Sequence, residues 1–156
     1  MDLLYEDQNI KFVCIKNDDK YILSVIPLKT IDYADMVNIS EVLITILKTY
    51  KSENKKWSIL YDIRKSDIPT KKNIDFWTKV FRSLHETMVY NQNATGVLVK
   101  SQEISDILNK IIVLWEPVGE VKFFTEYQSS LEFLKKKNAA LKVPVKTKIK
   151  LKSSRF

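Results

Sequence analysis

The chain has 156 residues, of which 26 are Lys or Arg, 19 are Asp or Glu, and only two are Gly. Its single Cys and single His cannot form a Cys/His zinc site or an intrachain disulfide, and two distant glycines cannot build a glycine-rich nucleotide loop. We therefore expect one globular domain with no metal and no bound cofactor.

The net charge of +7 is concentrated near the C-terminus. Residues 135–156 hold nine basic residues and no acidic ones, whereas residues 1–134 hold 17 basic and 19 acidic residues. We therefore expect residues 1–134 to form a single α/β domain and residues 135–156 to form a basic C-terminal tail. The first residues lack the basic and apolar segments of a signal peptide, so the expected location is the cytoplasm.

The first predicted elements are a β-hairpin and a long helix. Residues 10–15 and 21–26 are rich in β-branched residues and flank a polar turn at residues 17–20. Apolar residues then recur every three or four positions over residues 33–50, which predicts an amphipathic helix. The apolar positions of this helix are Tyr33, Met36, Val37, Val42, Leu43, Ile46, Leu47 and Tyr50.

Strands and helices alternate through the rest of the domain. Strands are predicted at residues 57–61, 95–99 and 121–124; helices are predicted from Thr70 to about Tyr90, from Ser101 to Pro117, and after Thr125. The resulting order, β-β-α-β-α-β-α-β-α, predicts an α/β fold with a mixed sheet, parallel inner strands and packed helices.

The basic tail alternates between apolar and basic residues, which is typical of a strand with one solvated face. The apolar positions are Val143, Val145, Ile149 and Leu151, and the basic ones are Lys142, Lys146, Lys148, Lys150 and Lys152. Three interpretations remain open. The tail could pair with a sheet edge of its own or a second subunit, bind nucleic acid or an anionic membrane surface as a disordered arm, or only increase solubility.

The segment from Tyr21 to Lys137 resembles the SpoIIAA-like domain, of the STAS and SEC14 type. The similar features are the hairpin and long helix, the strand ending in Asp62-Ile63-Arg64, the strand at residues 95–99 with its helix bearing Trp115, and the strand at 121–124 leading into the last helix. The resemblance implies a non-enzymatic binding or regulatory module that forms a homodimer or binds a protein partner.

In the wider STAS group, anti-sigma-factor antagonists carry a phosphorylatable serine in an Asp-Ser-Ser-like motif. The corresponding loop here, residues 65–70, lacks that motif, and Ser66 and Thr70 are merely its nearest hydroxyl groups. Phosphorylation by a cognate kinase is therefore not implied for this chain.

The loop from Asp62 to Lys72 is the best candidate site, for an anion or a partner. It follows an inner strand and precedes a helix N-terminus, where free N–H groups and basic side chains favour negative charge. The alternative is a solvated polar loop in which Thr70 is an ordinary helix cap. The candidate residues are Asp62, Arg64, Lys65, Ser66, Thr70, Lys71 and Lys72.

Other residues with reactive or aromatic side chains are best explained by packing. His85 lies at the edge of an apolar helix face, and Cys14 lies within an apolar strand. The three tryptophans fall on predicted core positions, although an apolar ligand pocket between sheet and helices remains an alternative. No catalytic constellation is visible, so we expect a non-enzymatic binding module; the alternatives are an anionic-surface binder acting through the tail and a carrier of a small apolar ligand.

Overall fold

The computed structural model describes residues 1–17, 19–67, 70–111 and 119–140, apart from the side chains of residues 81, 82, 84–93 and 111. The described residues form one six-stranded sheet and four helices. The strands are β1 (Asp2–Glu6), β2 (Ile10–Asn17), β3 (Lys20–Pro27), β4 (Trp57–Asp62), β5 (Gln92–Leu98) and β6 (Glu120–Phe124). The helices are α1 (Tyr33–Ser52), α2 (Lys71–Asn91), α3 (Gln102–Ile111) and α4 (Tyr127–Ala140).

The six strands lie in the same order in the sheet as in the sequence. Strands β1, β2 and β3 are mutually antiparallel, and β3, β4, β5 and β6 are parallel. The predicted hairpin pairs Ile10 with Pro27 at one end and Asn17 with Lys20 at the other. The predicted α/β fold class with a mixed sheet is therefore confirmed, with one strand added at the N-terminus.

That added strand, β1, was not predicted, because its five residues begin and end with an acid and show no clear alternation. A tight turn at Asp7 joins it to β2. The Asp7 carboxylate accepts hydrogen bonds from the backbone N–H groups of Asn9 (2.7 Å) and Ile10 (3.0 Å) and from the Tyr5 hydroxyl (2.8 Å). Burial alone would raise the pKa of Asp7, but these hydrogen bonds outweigh it and lower the pKa below its ordinary value.

Helices α1, α2 and α3 cover one side of the sheet, which we call the three-helix face. Side chains at alternate strand positions point to this face, and they pack against buried residues of α1 such as Ile39 and Leu43 and against Val80 of α2. Two predicted core positions of α1 are wrong: Tyr33 and Val37 are 38% and 42% exposed, whereas Ile39 is buried. The other buried positions, such as Met36, Leu43 and Leu47, agree with the prediction.

Helix α4 alone, among the described helices, packs on the opposite side, which we call the α4 face. Leu131 and Leu134 pack there against Ile22, Leu60 and Leu98 of three neighbouring strands. Gly96 of β5 lies beneath this helix: a Cβ atom at that position would lie 3.3 Å from Leu60 Cδ1 and 3.4 Å from Leu134 Cδ1. A larger residue there would therefore require these side chains to shift by a few tenths of an ångström.

The end of α4 lies beyond the expected domain boundary at residue 135. The helix continues to Ala140, so residues 135–140 are helical. Asn138 is fully buried, accepts a hydrogen bond from Ser58 Oγ (2.7 Å) and donates one to the Tyr21 carbonyl (3.4 Å). The predicted strand at residues 142–152, and its five lysines, lie outside the described residues.

Two helix starts have a side-chain cap, whereas Asp32 precedes α1 without a side-chain cap hydrogen bond. Thr70 and Ser101 precede α2 and α3, and each side-chain oxygen accepts a backbone N–H three residues later. Helix α4 begins at Tyr127, and the Ser130 N–H donates to the Glu126 carbonyl, so Thr125 does not directly precede the helix. The predicted end of α3, at residues 112–117, lies outside the described residues.

Candidate functional site

The carboxyl ends of the parallel strands form an apolar pocket on the three-helix face. The pocket has a cavity volume of about 140 Å³. An apolar cavity of roughly 150 Å³ is large enough to admit a benzene molecule. Carboxyl ends of parallel strands are also where open α/β sheets commonly bind ligands.

One row of side chains across four strands forms the floor of this pocket. Val25 of β3 pairs with Tyr61 of β4, which pairs with Val97 of β5, which pairs with Phe123 of β6. All four residues line the cavity. The in-register parallel pairing therefore produces a continuous, mostly apolar floor.

Residues from all three helices of this face form the pocket walls. The wall residues are Met36 of α1, Ile74 and Trp77 of α2, and Leu108 of α3. The Trp77 ring makes an edge-to-face contact with Phe76 at 5.7 Å between centroids. This contact helps to fix the orientation of the Trp77 ring in the wall.

Two loops form the polar rim of the pocket and are bonded to each other. The Thr30 hydroxyl donates to Asp67 Oδ2 (3.1 Å) and accepts the Asp67 backbone N–H (3.0 Å). The Ser66 hydroxyl donates to the Lys29 carbonyl (3.4 Å), and Lys100 Nζ lies 3.9 Å from Asp67 Oδ1. Several polar groups of the rim are therefore already hydrogen-bonded to each other.

Tyr61 brings a hydroxyl group to the pocket floor. Burial raises the pKa of Tyr61 far above its ordinary value, so the side chain is neutral at physiological pH. A neutral hydroxyl can donate or accept a hydrogen bond without the cost of burying a charge. The pocket floor therefore carries no charged side chain.

The predicted anion site contains a pair of opposite charges at the end of β4. The Arg64 guanidinium donates to both carboxylate oxygens of Asp62, at 2.9 and 2.8 Å, and lies 6.0 Å from the Tyr127 ring centroid. The hydrogen bond to Asp62 raises the pKa of Arg64. The positive charge of Arg64 is therefore compensated within the loop.

The remaining candidate cations of this loop are three lysines. Lys72 Nζ lies 4.2 Å from the Tyr33 ring centroid, and Lys65 and Lys71 are exposed to solvent. Thr70 acts as the cap of α2, in agreement with the alternative interpretation of the loop.

The other residues considered from the sequence occupy packing positions where the structure describes them. Cys14 and Trp57 are buried in the core, and Trp77 lines the pocket. The His85 side chain and Trp115 lie outside the described residues. Among the side chains that are described, no group of three or more His, Cys, Asp or Glu could hold a metal ion.

The architecture is shared with a solved structure of another protein. The chain is similar to an uncharacterised protein of the DUF3478 family from Shewanella loihica PV-4, whose structure is described as having a SpoIIAA-like fold. The similarity covers 84% of this chain and 98% of that chain, with a TM-score of 0.58 and 16% sequence identity. The chain has a SpoIIAA-like fold. No family model and no curated protein matches the sequence.

The SpoIIAA-like fold accounts for where the pocket lies and for why the sequence did not reveal it. Its lining comes from strands, helices and loops between Ile10 and Phe123, so no local motif marks it. The one signal in the sequence was that several strands end in apolar residues, and the sequence analysis assigned those residues to the core. No described helix of this SpoIIAA-like fold is long and apolar enough to cross a membrane.

Proposed function

We propose that this SpoIIAA-like chain is a non-enzymatic binding module that holds a small apolar molecule in the pocket at the carboxyl ends of its strands. The observation that carries the proposal is the cavity of about 140 Å³ with its floor of Val25, Tyr61, Val97 and Phe123. Among the functions predicted from the sequence, this supports the carrier of a small apolar ligand.

The hydrophobic effect supplies the affinity in this proposal. A ligand that removes the apolar walls from water gains about 25 cal/mol for each Å² of apolar surface buried. The paired rim groups, Thr30 and Asp67, favour an uncharged ligand because an ion would have to displace existing hydrogen bonds.

The module would have a regulatory role if a ligand in the pocket changed the arrangement of the two rim loops. The loop after β4 contributes Ser66 and Asp67 to the pocket and is bonded to the loop after β3. A ligand that contacts both loops would favour one arrangement of this surface over others. We propose that a protein partner or a second subunit recognises that surface.

Titration with benzene, followed by two-dimensional NMR of the methyl groups, tests the pocket directly. We expect saturable shifts confined to lining residues such as Ile74, Val97 and Leu108, with a dissociation constant of about 1 mM or tighter, which corresponds to at least ~4 kcal/mol. Pyrazine, a polar ring of similar size, should bind at least tenfold more weakly because its nitrogens must be desolvated.

Two tryptophan substitutions provide a matched comparison. Ile74→Trp fills the cavity and should weaken benzene binding at least tenfold, whereas Val37→Trp, at an exposed position of α1, should leave it unchanged. Equal binding by both variants, or shifts spread over the whole surface, would show that the pocket is not the site.

A further inference from the structure

Strand β1 forms a free edge of the sheet within the described part of the chain. Its only described strand neighbour is β2, so the N–H and C=O groups on its outer side have no strand partner there. Leu3 and Leu4 of this strand are 56% and 41% exposed. An edge with exposed apolar side chains is a template for pairing with a further strand.

The position of α4 determines where a strand that follows it would lie. The steps from β3 through β6 move in one direction across the sheet, with α1, α2 and α3 all on the three-helix face. Crossovers between parallel strands are almost always right-handed. Because α4 lies on the opposite face, a right-handed crossover through it leads back across the sheet, toward β1.

The path of α4 agrees with this direction. The helix begins near the carboxyl end of β4, where Arg64 lies over the Tyr127 ring, and it ends at the amino ends of β3 and β4, where Asn138 bonds to Tyr21 and Ser58. A strand that starts there would run parallel to β3, and therefore parallel to β1 as well.

The chain after α4 is long enough to reach this edge. Moving from β3 to a position beside β1 crosses three strand spacings, about 14 Å, and the helix lies about 10 Å above the sheet, so the path is about 17 Å. Residues 141–145, fully extended, span about 17 Å. They include Pro144, which cannot donate a backbone hydrogen bond and suits a connection better than a strand.

The next residues have the composition of a strand that suits this edge. From Lys146 to Lys152 four lysines alternate with Thr147, Ile149 and Leu151. The first seven residues of the chain, which include β1, carry three acids and no base, whereas the other edge strand, β6, carries Lys122 and a Glu120 already paired with Lys137. Opposite charges on neighbouring strands attract each other.

We propose that residues 146–152 of this same chain form a seventh strand that pairs in parallel with the free edge of β1. The strand covers the exposed side chains of Leu3 and Leu4 and places its lysines beside the acids of the N-terminal segment. The tail is then part of the sheet and not a free cationic arm. The pocket lies at the opposite end of the parallel strands from the end of α4, so this inference is independent of the proposed ligand.

Amide hydrogen exchange of the full-length protein, measured by NMR, tests the pairing. We expect amides in residues 147–151 to exchange at least a hundredfold more slowly than in an unstructured peptide. In Ile149→Pro, which removes one N–H and the strand geometry, that protection should fall at least tenfold, together with protection of outward-facing amides of β1. Ile149→Val, which preserves β-propensity, should retain both.

Unchanged protection of the β4 amides in Ile149→Pro serves as the control for an intact domain. Proton–proton contacts between residues 146–152 and β1 within one molecule support the proposal. Exchange of the tail at peptide rates overturns it, as do contacts with β6. Contacts found only between differently labelled molecules also overturn it, because the occupant of the edge would then be a second copy.

Discussion

Asp62 is the one acidic side chain that is buried among the described residues, and both of its carboxylate oxygens accept hydrogen bonds from Arg64, two positions later. The sequence identified both residues as parts of an anion site. It could not show that the guanidinium already has a carboxylate partner, because the spacing of two residues fixes neither the direction of the side chains nor their burial. The pair instead holds the end of β4 to the start of the following loop.

Substitution of Arg64 by Ala should destabilise the protein, because the Asp62 carboxylate would lose its charged partner. Arg64 is 45% exposed, so water can replace part of the interaction, and we expect a loss of about 1 kcal/mol in the free energy of unfolding. Urea denaturation measures this change. Lys65→Ala, at an exposed neighbouring position, should change stability by less than about 0.5 kcal/mol; equal effects of the two substitutions would contradict the assigned role of the pair.

At the scale of elements, the sequence predicted the helices and strands with strong periodicity and missed those without it. The hairpin, α1 and β4 were predicted because their apolar patterns extend over most of their length. Strand β1 was missed because its five residues depend on a turn at Asp7 and on pairing with β2. The end of α4 was missed because its lysines resemble a solvated tail, although buried Asn138 lies among them.

The contact between Asn138 and Ser58 should therefore contribute to stability. Both residues are fully buried, so Asn138→Ala leaves the Ser58 hydroxyl without this acceptor, and we expect a loss of about 1–3 kcal/mol. A double-mutant cycle with Ser58→Ala, followed by urea denaturation, measures the coupling. We expect a coupling energy of at least about 0.5 kcal/mol, and additive effects would show that the hydrogen bond does not link α4 to the sheet.

At the scale of the whole molecule, the mixed sheet followed from the order of elements, but the pocket did not. The order β-α-β-α-β fixes the parallel strands and the side on which their helices lie. The shape of the space between Trp77, Leu108 and the sheet depends on how far each helix stands from the strands. Such distances are set by tertiary packing, and a sequence pattern of apolar residues describes a filled core and a lined pocket equally well.

The buried Tyr50 and the partly buried Tyr61 make the folded state sensitive to alkaline pH. Burial raises the pKa of Tyr61, and burial together with a contact to Cys14 raises the pKa of Tyr50. Because these phenols keep their protons in the folded state and lose them above about pH 10 in the unfolded state, stability should fall as the pH rises above 10. For Tyr61 alone, the free energy of unfolding should fall by up to about 1.4 kcal/mol for each pH unit above 10.

Urea denaturation at pH 8, 10 and 11, with absorbance at 295 nm to follow tyrosinate, measures this dependence. Tyr61→Phe and Tyr50→Phe should each reduce the slope above pH 10. The prediction would be contradicted if all seven tyrosines ionised in one step near pH 10 while the circular dichroism of the folded protein stayed unchanged. Tyr50 and Tyr61 would then have ordinary pKa values in the folded state.

The placement of α4 also has a consequence for the synthesis of the protein. The helix that covers Ile22, Leu60 and Leu98 is the last described element to be translated, and Asn138 meets Tyr21 across 117 residues of sequence. At roughly 5–20 residues per second, the ribosome needs about 6–23 s to make that intervening chain. Until the helix has been made, whichever of these three side chains have already been synthesised lack the cover that they have in the folded protein.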